Sequence, residues 1–319
     1  MPTDLPAPLP RVVAAPMAGG PSTPELVNAV SFGFLAWGTC SLEQAREELA
    51  RVKEPFGINL FYPQTDEPAA ADLERLSAEL GEPVPSADLT FGFRDKLRLA
   101  IEDGRAAIVS STFGSFTPEE VSMLHDAGIQ AWVTVTNEAD AVKAAEYADG
   151  LIVQGPEAGG HRATWRLGEE PGDRSVEKLL DGIFRLINIP LMAAGGARGP
   201  ADVERLIEWG ASSVACGSAF LLADEAGTSD TNRAHLRDAR TGGNSSVSTR
   251  AFSGRYARGL ETEFTRTHPD LPPTYPHLNA MLKPRRNDPD YAYCLVGERP
   301  EKLREGPAAE IEAYLLGAR

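Results

Sequence analysis

A rhythm of short apolar runs constrains this chain more than any single motif. The runs are VVAA (12–15), FLAW (34–37), FGINL (56–60), AIVS (107–110), AWVTV (131–135), LIV (151–153), PLMA (190–193) and SVAC (213–216). They do not alternate apolar with polar residues, as a strand with one wet face would. Near-continuous apolar runs suit parallel strands covered on both faces. The segments between them carry helix-start chemistry. Thr23-Pro24-Glu25 places a capping residue before a proline at the first helical position. SLEQ (41–44) and TPEE (117–120) have capping-box spacing. Asn137 can cap a helix running through Tyr147, and Gly199-Pro200 opens a helix that ends near Trp209-Gly210. Eight β-α units, mostly spaced roughly 22 residues apart, predict an α/β chain with a closed (β/α)8 barrel. An open, doubly wound sheet is the alternative.

Two connections break the rhythm. Residues 61–106 hold extra helices, and residues 155–189 hold a glycine-rich loop. After the last run the pattern changes. Residues 223–294 are polar, with a turn at TGGNSS and a proline-rich stretch at HPDLPPTYPH. The expected division is a barrel over residues 1–222, completed by the C-terminal stretch 295–319 with its helix near 307–316. Residues 223–294 then form a smaller, mostly helical substrate domain or lid.

Composition narrows the function classes. With 42% hydrophobic residues the chain can bury a sizeable core. No apolar run approaches ~18 residues, so no membrane span is expected. The N-terminal MPTDLPAPLPRVV reads as an extended, proline-rich lead-in; it has no basic region followed by an apolar stretch, so it is not expected to be a secretory signal. Cys40, Cys216 and Cys294 are odd in number and widely spaced. That pattern fits a reducing, cytoplasmic setting and argues against a disulfide framework or a cysteine zinc site. No histidine pair has HExxH spacing, so no metal is expected. A formal charge of −15 argues against nucleic acid or an anionic membrane surface as partner, and leaves a small molecule. The sequence allows a homo-oligomer without specifying one.

In a closed barrel of this kind, ligands sit at the C-terminal ends of the strands. The residues there are PMAGG (16–20), Asn59, Gln154 with GPEAGGHRATW (155–165), AAGGARGP (193–200) and CGSAF (216–220). The loops behind the seventh and eighth strands, with a helix N-terminus, are the usual phosphate site of the fold. Gly195, Gly196, Gly217 and Ser218 would supply close backbone approach and exposed N–H groups; tight turns alone are the plainer reading. His161 would stand at the barrel mouth behind Gly159 and Gly160. A histidine with pKa near ~6.5 can hydrogen-bond an anion or accept a proton; satisfying a loop carbonyl is the plainer reading. His125 and His235 fall in helical patterns, and His268 and His277 flank the proline-rich stretch. Glu157 either orients the imidazole or is a solvated loop charge. Cys216 reads as a small core residue rather than a nucleophile. Arg250, Arg255 and Arg258 of TRAFSGRYARG either bind an anionic substrate group or, as the plainer reading has it, tie residues 223–294 to the barrel through salt bridges.

Several stretches together resemble one family. They are APMAGGPSTPELVNAVSFGFLAWGT, FGINLF, VQGPEAGGHRAT, PLMAAGGARGPADVERLIEWGASSVACGSAFLLADEA and TRAFSGRYARGLETEF. The chain resembles the nitronate monooxygenases, once called 2-nitropropane dioxygenases, from about residue 11 onward. The resemblance implies FMN on a TIM barrel and O2-dependent oxidation of alkyl nitronates to a carbonyl compound and nitrite. It implies main-chain contacts of Met17 and Ala18 behind the flavin ring. Asn59 and Gln154 would hydrogen-bond the ring or ribityl chain, and Gly159 and Gly160 would lie near the ring. Gly195, Gly196, Gly217 and Ser218 would bind the phosphate, and His161 matches the catalytic histidine. Ala163 stands where the family usually has glycine, and FGSF (113–116) lacks the proline often found after FG. Flavin-dependent enoyl-ACP reductases and NAD(P)H:quinone reductases share the scaffold. An NAD(P)H-dependent reductase is therefore one alternative, and a non-catalytic flavin-binding module is another.

Overall fold

The computed structural model describes residues 8–318; the first part of the proline-rich lead-in lies outside the described residues. The barrel strands are β1 (Val12–Ala14), β2 (Phe34–Ala36), β3 (Gly57–Phe61), β4 (Ile108–Thr112), β5 (Gln130–Val135) and β6 (Gly150–Gln154), then β8 (Leu191–Ala194) and β9 (Ser213–Cys216). The short β7 (Gly160–His161) lies in the loop after β6. The eight barrel strands pair in parallel in the order β1-β9-β8-β6-β5-β4-β3-β2. A parallel bridge between Ala14 and Gly33, with Ala14 N donating to Phe32 O at 2.9 Å, joins the two edge strands. The expected closed barrel is therefore the observed one, and the open sheet is excluded.

Helices α1 (Pro24–Ala29), α2 (Leu42–Arg51), α3 (Ala70–Leu80), α4 (Phe93–Asp103), α5 (Pro118–Asp126), α6 (Glu138–Ala144), α7 (Val176–Phe184) and α8 (Pro200–Glu208) fill the connections. Local chemistry sets their starts. Thr23 accepts from Leu26 N, Ser41 from Gln44 N and Asn137 from Asp140 N. Thr117 and Glu120 close both halves of a capping box. At Ser41 only one half forms, because Gln44 Nε2 donates to Glu48 Oε1 at 2.9 Å instead. Helix α6 stops short of Tyr147; Glu146 N and Tyr147 N bond to the carbonyls of Lys143 and Ala144, a tighter turn that ends the helix.

Side-chain alternation along the strands builds the barrel in two tiers. Val13, Phe34, Ile108, Trp132, Ile152, Met192 and Ala215 point inward and form one buried cluster. Gly57 and Gly150 make room for the large rings. A Cβ on Gly57 would come within 2.4 Å of the Phe34 ring, and one on Gly150 within 2.5 Å of Trp132. Two residues further along each strand the inward positions are Ala15, Ala36, Asn59, Ser110, Thr134, Gln154, Ala194 and Gly217. This upper tier is small or polar throughout, so a packed apolar plug ends in a shallow polar floor at the C-terminal mouth. The outward-facing residues, among them Val12, Leu35, Ile58, Val109, Val133, Leu151, Leu191 and Val214, pack against the helices. Both faces of the sheet are dry, which explains the unbroken apolar runs.

Residues 223–294 carry α9 (Asp230–Arg240), β10 (Ser246–Thr249), β11 (Ala257–Leu260), α10 (Glu263–Thr267) and α11 (His277–Leu282). Strand β11 pairs antiparallel with both β10 and β7, in the register Ala257↔His161 and Arg258↔Gly160. Helix outweighs strand in the segment, which also carries a small antiparallel sheet that was not expected. The ARGL run lies in that sheet between β10 and the glycine-rich loop's β7. The segment also shares cores with the barrel. Leu221 and Leu222 cluster with Leu236, Leu260, Cys294 and Val296. Leu76 of α3 clusters with Phe264, Leu278 and Met281. The last helix, α12 (Ala308–Leu315), returns to the barrel and buries Ala308, Ile311 and Leu315 in its outer core.

Candidate active site

His161 sits where the glycine pair puts it. Gly160 holds φ +86, a left-handed conformation open to glycine at little cost. A Cβ on Gly159 would come within 2.5 Å of Gly297 N, so that residue must be small for the loop to lie against Val296–Gly297. Gln154, the last residue of β6, then clamps the loop. Its Nε2 donates to His161 O at 2.9 Å, and its Oε1 accepts from Ala163 N at 2.9 Å. Ala163 is buried and has no positive φ, which accounts for the alanine: nothing in this backbone requires a glycine there.

The imidazole is half-buried in an aromatic box. Ring centroids lie 4.9 Å away for Tyr275, 5.8 Å for Phe113, 6.4 Å for Phe61 and 6.5 Å for Tyr293. Phe113 is held at φ +76, a costly backbone conformation for a bulky residue. His161 Nε2 lies 2.8 Å from Ser253 Oγ and 3.4 Å from Tyr293 Oη. Two arginines face this box. Arg255 stacks over Phe113 at 4.2 Å and donates to Thr164 O at 2.7 Å and Gln64 Oε1 at 3.2 Å. Arg286 stacks over Tyr293 at 4.2 Å and donates to Phe252 O at 2.6 Å. Neither forms an ion pair among the described residues, although the chain as a whole is strongly acidic. Burial, then Arg255 and Arg286, push the His161 pKa down to about 3, so the ring is neutral at physiological pH. Burial brings Arg255 and Arg286 down to about 10, which leaves both charged. Burial raises Tyr293 to about 12 and Tyr275 further, which keeps both phenols protonated.

The other predicted residues gather at the same mouth. Asn59 is buried and donates to Ser110 Oγ at 2.9 Å and Thr112 Oγ1 at 3.1 Å. Its Oδ1 has only a 3.5 Å contact from Thr112. Met17 N donates to Ser22 Oγ at 2.8 Å, and Met17 lies against Gly217, whose Cβ would stand 3.6 Å from it. Ala18 packs against the cluster of Phe61, Phe113, Leu167 and Tyr275. Behind β8, Gly195 and Gly196 have φ +113 and +77, and a Cβ on Gly195 would meet Ala158 N at 2.8 Å. Ser218, behind β9, accepts from Gly297 N at 2.9 Å.

Some expectations change. Glu157 neither orients the imidazole nor stands in solvent. It is half-buried and accepts from Val176 N at 3.2 Å, at the positive end of α7, while burial raises its pKa. Arg250 pairs with Glu170 at 2.8 Å and Arg258 with Glu298 at 3.3 Å, as the tethering reading expects. Arg255 also ties residues 223–294 to the barrel, through hydrogen bonds to Thr164 and Gln64 rather than the expected salt bridge. Cys216 is a core residue, its thiol pushed up to about 12 by burial. Sequence reasoning missed Ser253, Tyr275, Arg286 and Tyr293, which join His161 from about a hundred residues away. It also missed Arg198, which is buried beside the GG turn with Nε and Nη2 unpartnered. That residue carried a local signal, an arginine directly after GGA. Among the described residues no acidic, histidine or cysteine cluster could hold a metal.

The model of the nitronate monooxygenase family matches residues 7–299. The chain belongs to the nitronate monooxygenase family. It is 33% identical to the nitronate monooxygenase of Pseudomonas aeruginosa, over 96% of this chain and 95% of that protein. It is 31% identical to a probable nitronate monooxygenase of Staphylococcus saprophyticus, over 87% and 83%. A solved nitroalkane oxidase from Streptomyces ansochromogenes superimposes with a TM-score of 0.87 at 30% identity, covering 98% of this chain and 95% of that one. FabK from Thermotoga maritima superimposes with a TM-score of 0.74 at 22% identity, over 96% and 91%, and shows the shared fold. Membership makes the chain an oxidoreductase acting on nitronates or nitroalkanes. No helix among the described residues is long and apolar enough to cross a membrane.

Proposed function

We propose that the chain converts alkyl nitronates and O2 to a carbonyl compound and nitrite, with FMN at the C-terminal mouth of the barrel. One arrangement carries the choice of substrate: half-buried His161 shares its aromatic box with Arg255 and Arg286, which form no ion pair among the described residues. Burial is the first cause that disfavours imidazolium; the two arginines add to it, and their charge favours an anion in the same place. An imidazole with so low a pKa is a weak base, so an anionic nitronate, which needs no proton removed, suits the site better than a neutral nitroalkane. Arg255 and Arg286 then hold the nitronate through its negative charge, and His161 excludes water with its aromatic neighbours.

The residues fit FMN. The upper tier of the barrel is small and polar, as a planar ring needs. The GG turn of 195–196, Gly217, Ser218 and the unpartnered N–H groups of buried Arg198 suit a phosphate. Met17, Ala18, Gly159 and Gly160 would lie along the ring, and Asn59 Oδ1 and the second N–H of Gln154 would meet its edge or the ribityl chain. Bound there, FMN supplies the one-electron and O2 chemistry. Residues 223–294 serve as the substrate-covering lid, and the free cysteines fit a reducing, cytoplasmic setting. The test is nitrite release from propionate 3-nitronate or ethylnitronate by flavin-loaded protein, with loss expected in His161→Ala. No nitrite, and a His161→Ala variant indistinguishable from wild type, defeats the proposal. Anaerobic bleaching of the flavin by NADH or NADPH, but not by nitronate, would favour a reductase.

A further inference from the structure

The hydrogen-bond partners of Ser253 decide which ring nitrogen of His161 carries the proton. Ser253 is fully buried. Its Oγ lies 2.8 Å from His161 Nε2, 3.3 Å from Arg255 O and 3.4 Å from Arg255 N. A serine hydroxyl has one hydrogen to give. The carbonyl of Arg255 belongs to a residue that is 1% exposed, and among the described residues no other hydrogen bond reaches it. Given to Nε2, the serine hydrogen would leave that buried carbonyl bare. Given to the carbonyl, it leaves a 2.8 Å contact whose hydrogen must come from the histidine. The satisfied chain is Nε2–H to Ser253 Oγ, and Ser253 O–H to Arg255 O. Tyr293 Oη, at 3.4 Å, is too distant to replace the serine as the short partner. The other groups facing the ring are Arg255, Arg286 and Tyr275, and none of them bonds to Nδ1.

We propose that Ser253 is a positioning residue that holds His161 as its Nε2–H tautomer and leaves Nδ1 unprotonated. The tautomer itself does not rest on the nitronate reading; only the choice of ethylnitronate as assay substrate does. The same arrangement gives the TRAFSGRYARG stretch a second task besides tethering: its serine sets the histidine, and its arginine carbonyl sets the serine.

The test is nitrogen NMR of the full chain with 15N-labelled histidine. The His161 signals are identified by their loss in His161→Asn. In wild type at neutral pH, Nε2 should resonate as a protonated nitrogen and Nδ1 as an unprotonated one. The reverse pattern, or a mixture of both, overturns the proposal. Ser253→Ala should lose the single tautomer and lower kcat/KM for ethylnitronate about tenfold or more. Ser253→Thr, which keeps the hydroxyl, should restore both. A Ser253→Ala variant of lowered activity with an unchanged tautomer would make the serine merely structural and overturn the positioning role. If Ser253→Ala does not fold, the wild-type spectrum still decides. Absence of nitrite with every nitronate, beside the expected spectrum, would defeat the nitronate reading and leave the tautomer standing.

Discussion

Acidification from about pH 7.5 to about pH 5 should destabilise the wild-type protein by about 1–2 kcal/mol more than a His161→Asn variant. In the folded protein the His161 pKa is depressed to about 3, by burial first and then by Arg255 and Arg286. In the unfolded chain it returns to about 6.5. Between those values the unfolded chain binds a proton that the native state does not. Stability is therefore complete above the unfolded value and is lost as pH falls toward the folded one. Each pH unit below about 6.5 costs about 1.4 kcal/mol, which reaches about 2 kcal/mol near pH 5. The ring is half-buried rather than sealed, so solvent screening trims this to about 1–2 kcal/mol. Asparagine does not titrate, and both proteins share every other acid-sensitive group, including His277. The measurement is a pair of urea unfolding curves for each protein at the two pH values. A stability gap between the proteins that stays constant with pH would refute the reasoning. It would mean that neither burial nor the arginines hold the ring's pKa below its unfolded value.

Gly195→Ala should weaken FMN binding in a fluorescence titration and cost about 1–3 kcal/mol of stability. Its φ is +113 and its Cβ would meet Ala158 N at 2.8 Å; wild-type affinity in this variant would show that the turn need not be glycine. Trp132→Ala should lower stability by about 3–5 kcal/mol, because the ring fills the barrel plug between strands that cannot collapse onto it. A loss under about 1 kcal/mol by thermal or urea unfolding would show that the plug repacks.

The barrel was largely legible because its signals are local. Unbroken apolar runs mark strands dry on both faces, and Thr23, Thr117 and Asn137 mark helix starts through bonds that span three residues. The helical reading of residues 223–294 missed the small sheet of β10, β11 and β7. ARGL pairs with β10 nearby in the chain and also with β7, nearly a hundred residues earlier, and that second pairing has no local signal. Glu157 was read beside the histidine on sequence spacing, yet the loop turns it toward α7. A loop has no fixed period, so four residues of separation carry no direction.

The sequence by itself determined the eightfold alternation, the glycine turns behind the strands and the placing of His161 beyond β6. Spacing and residue type suffice for these, since each depends on neighbours in the chain. The tertiary structure alone decided the chemical state of His161. Arg255, Arg286, Ser253, Tyr275 and Tyr293 surround the ring from distant segments. Burial and Coulomb interaction depend on distance in space, and the fold sets those distances.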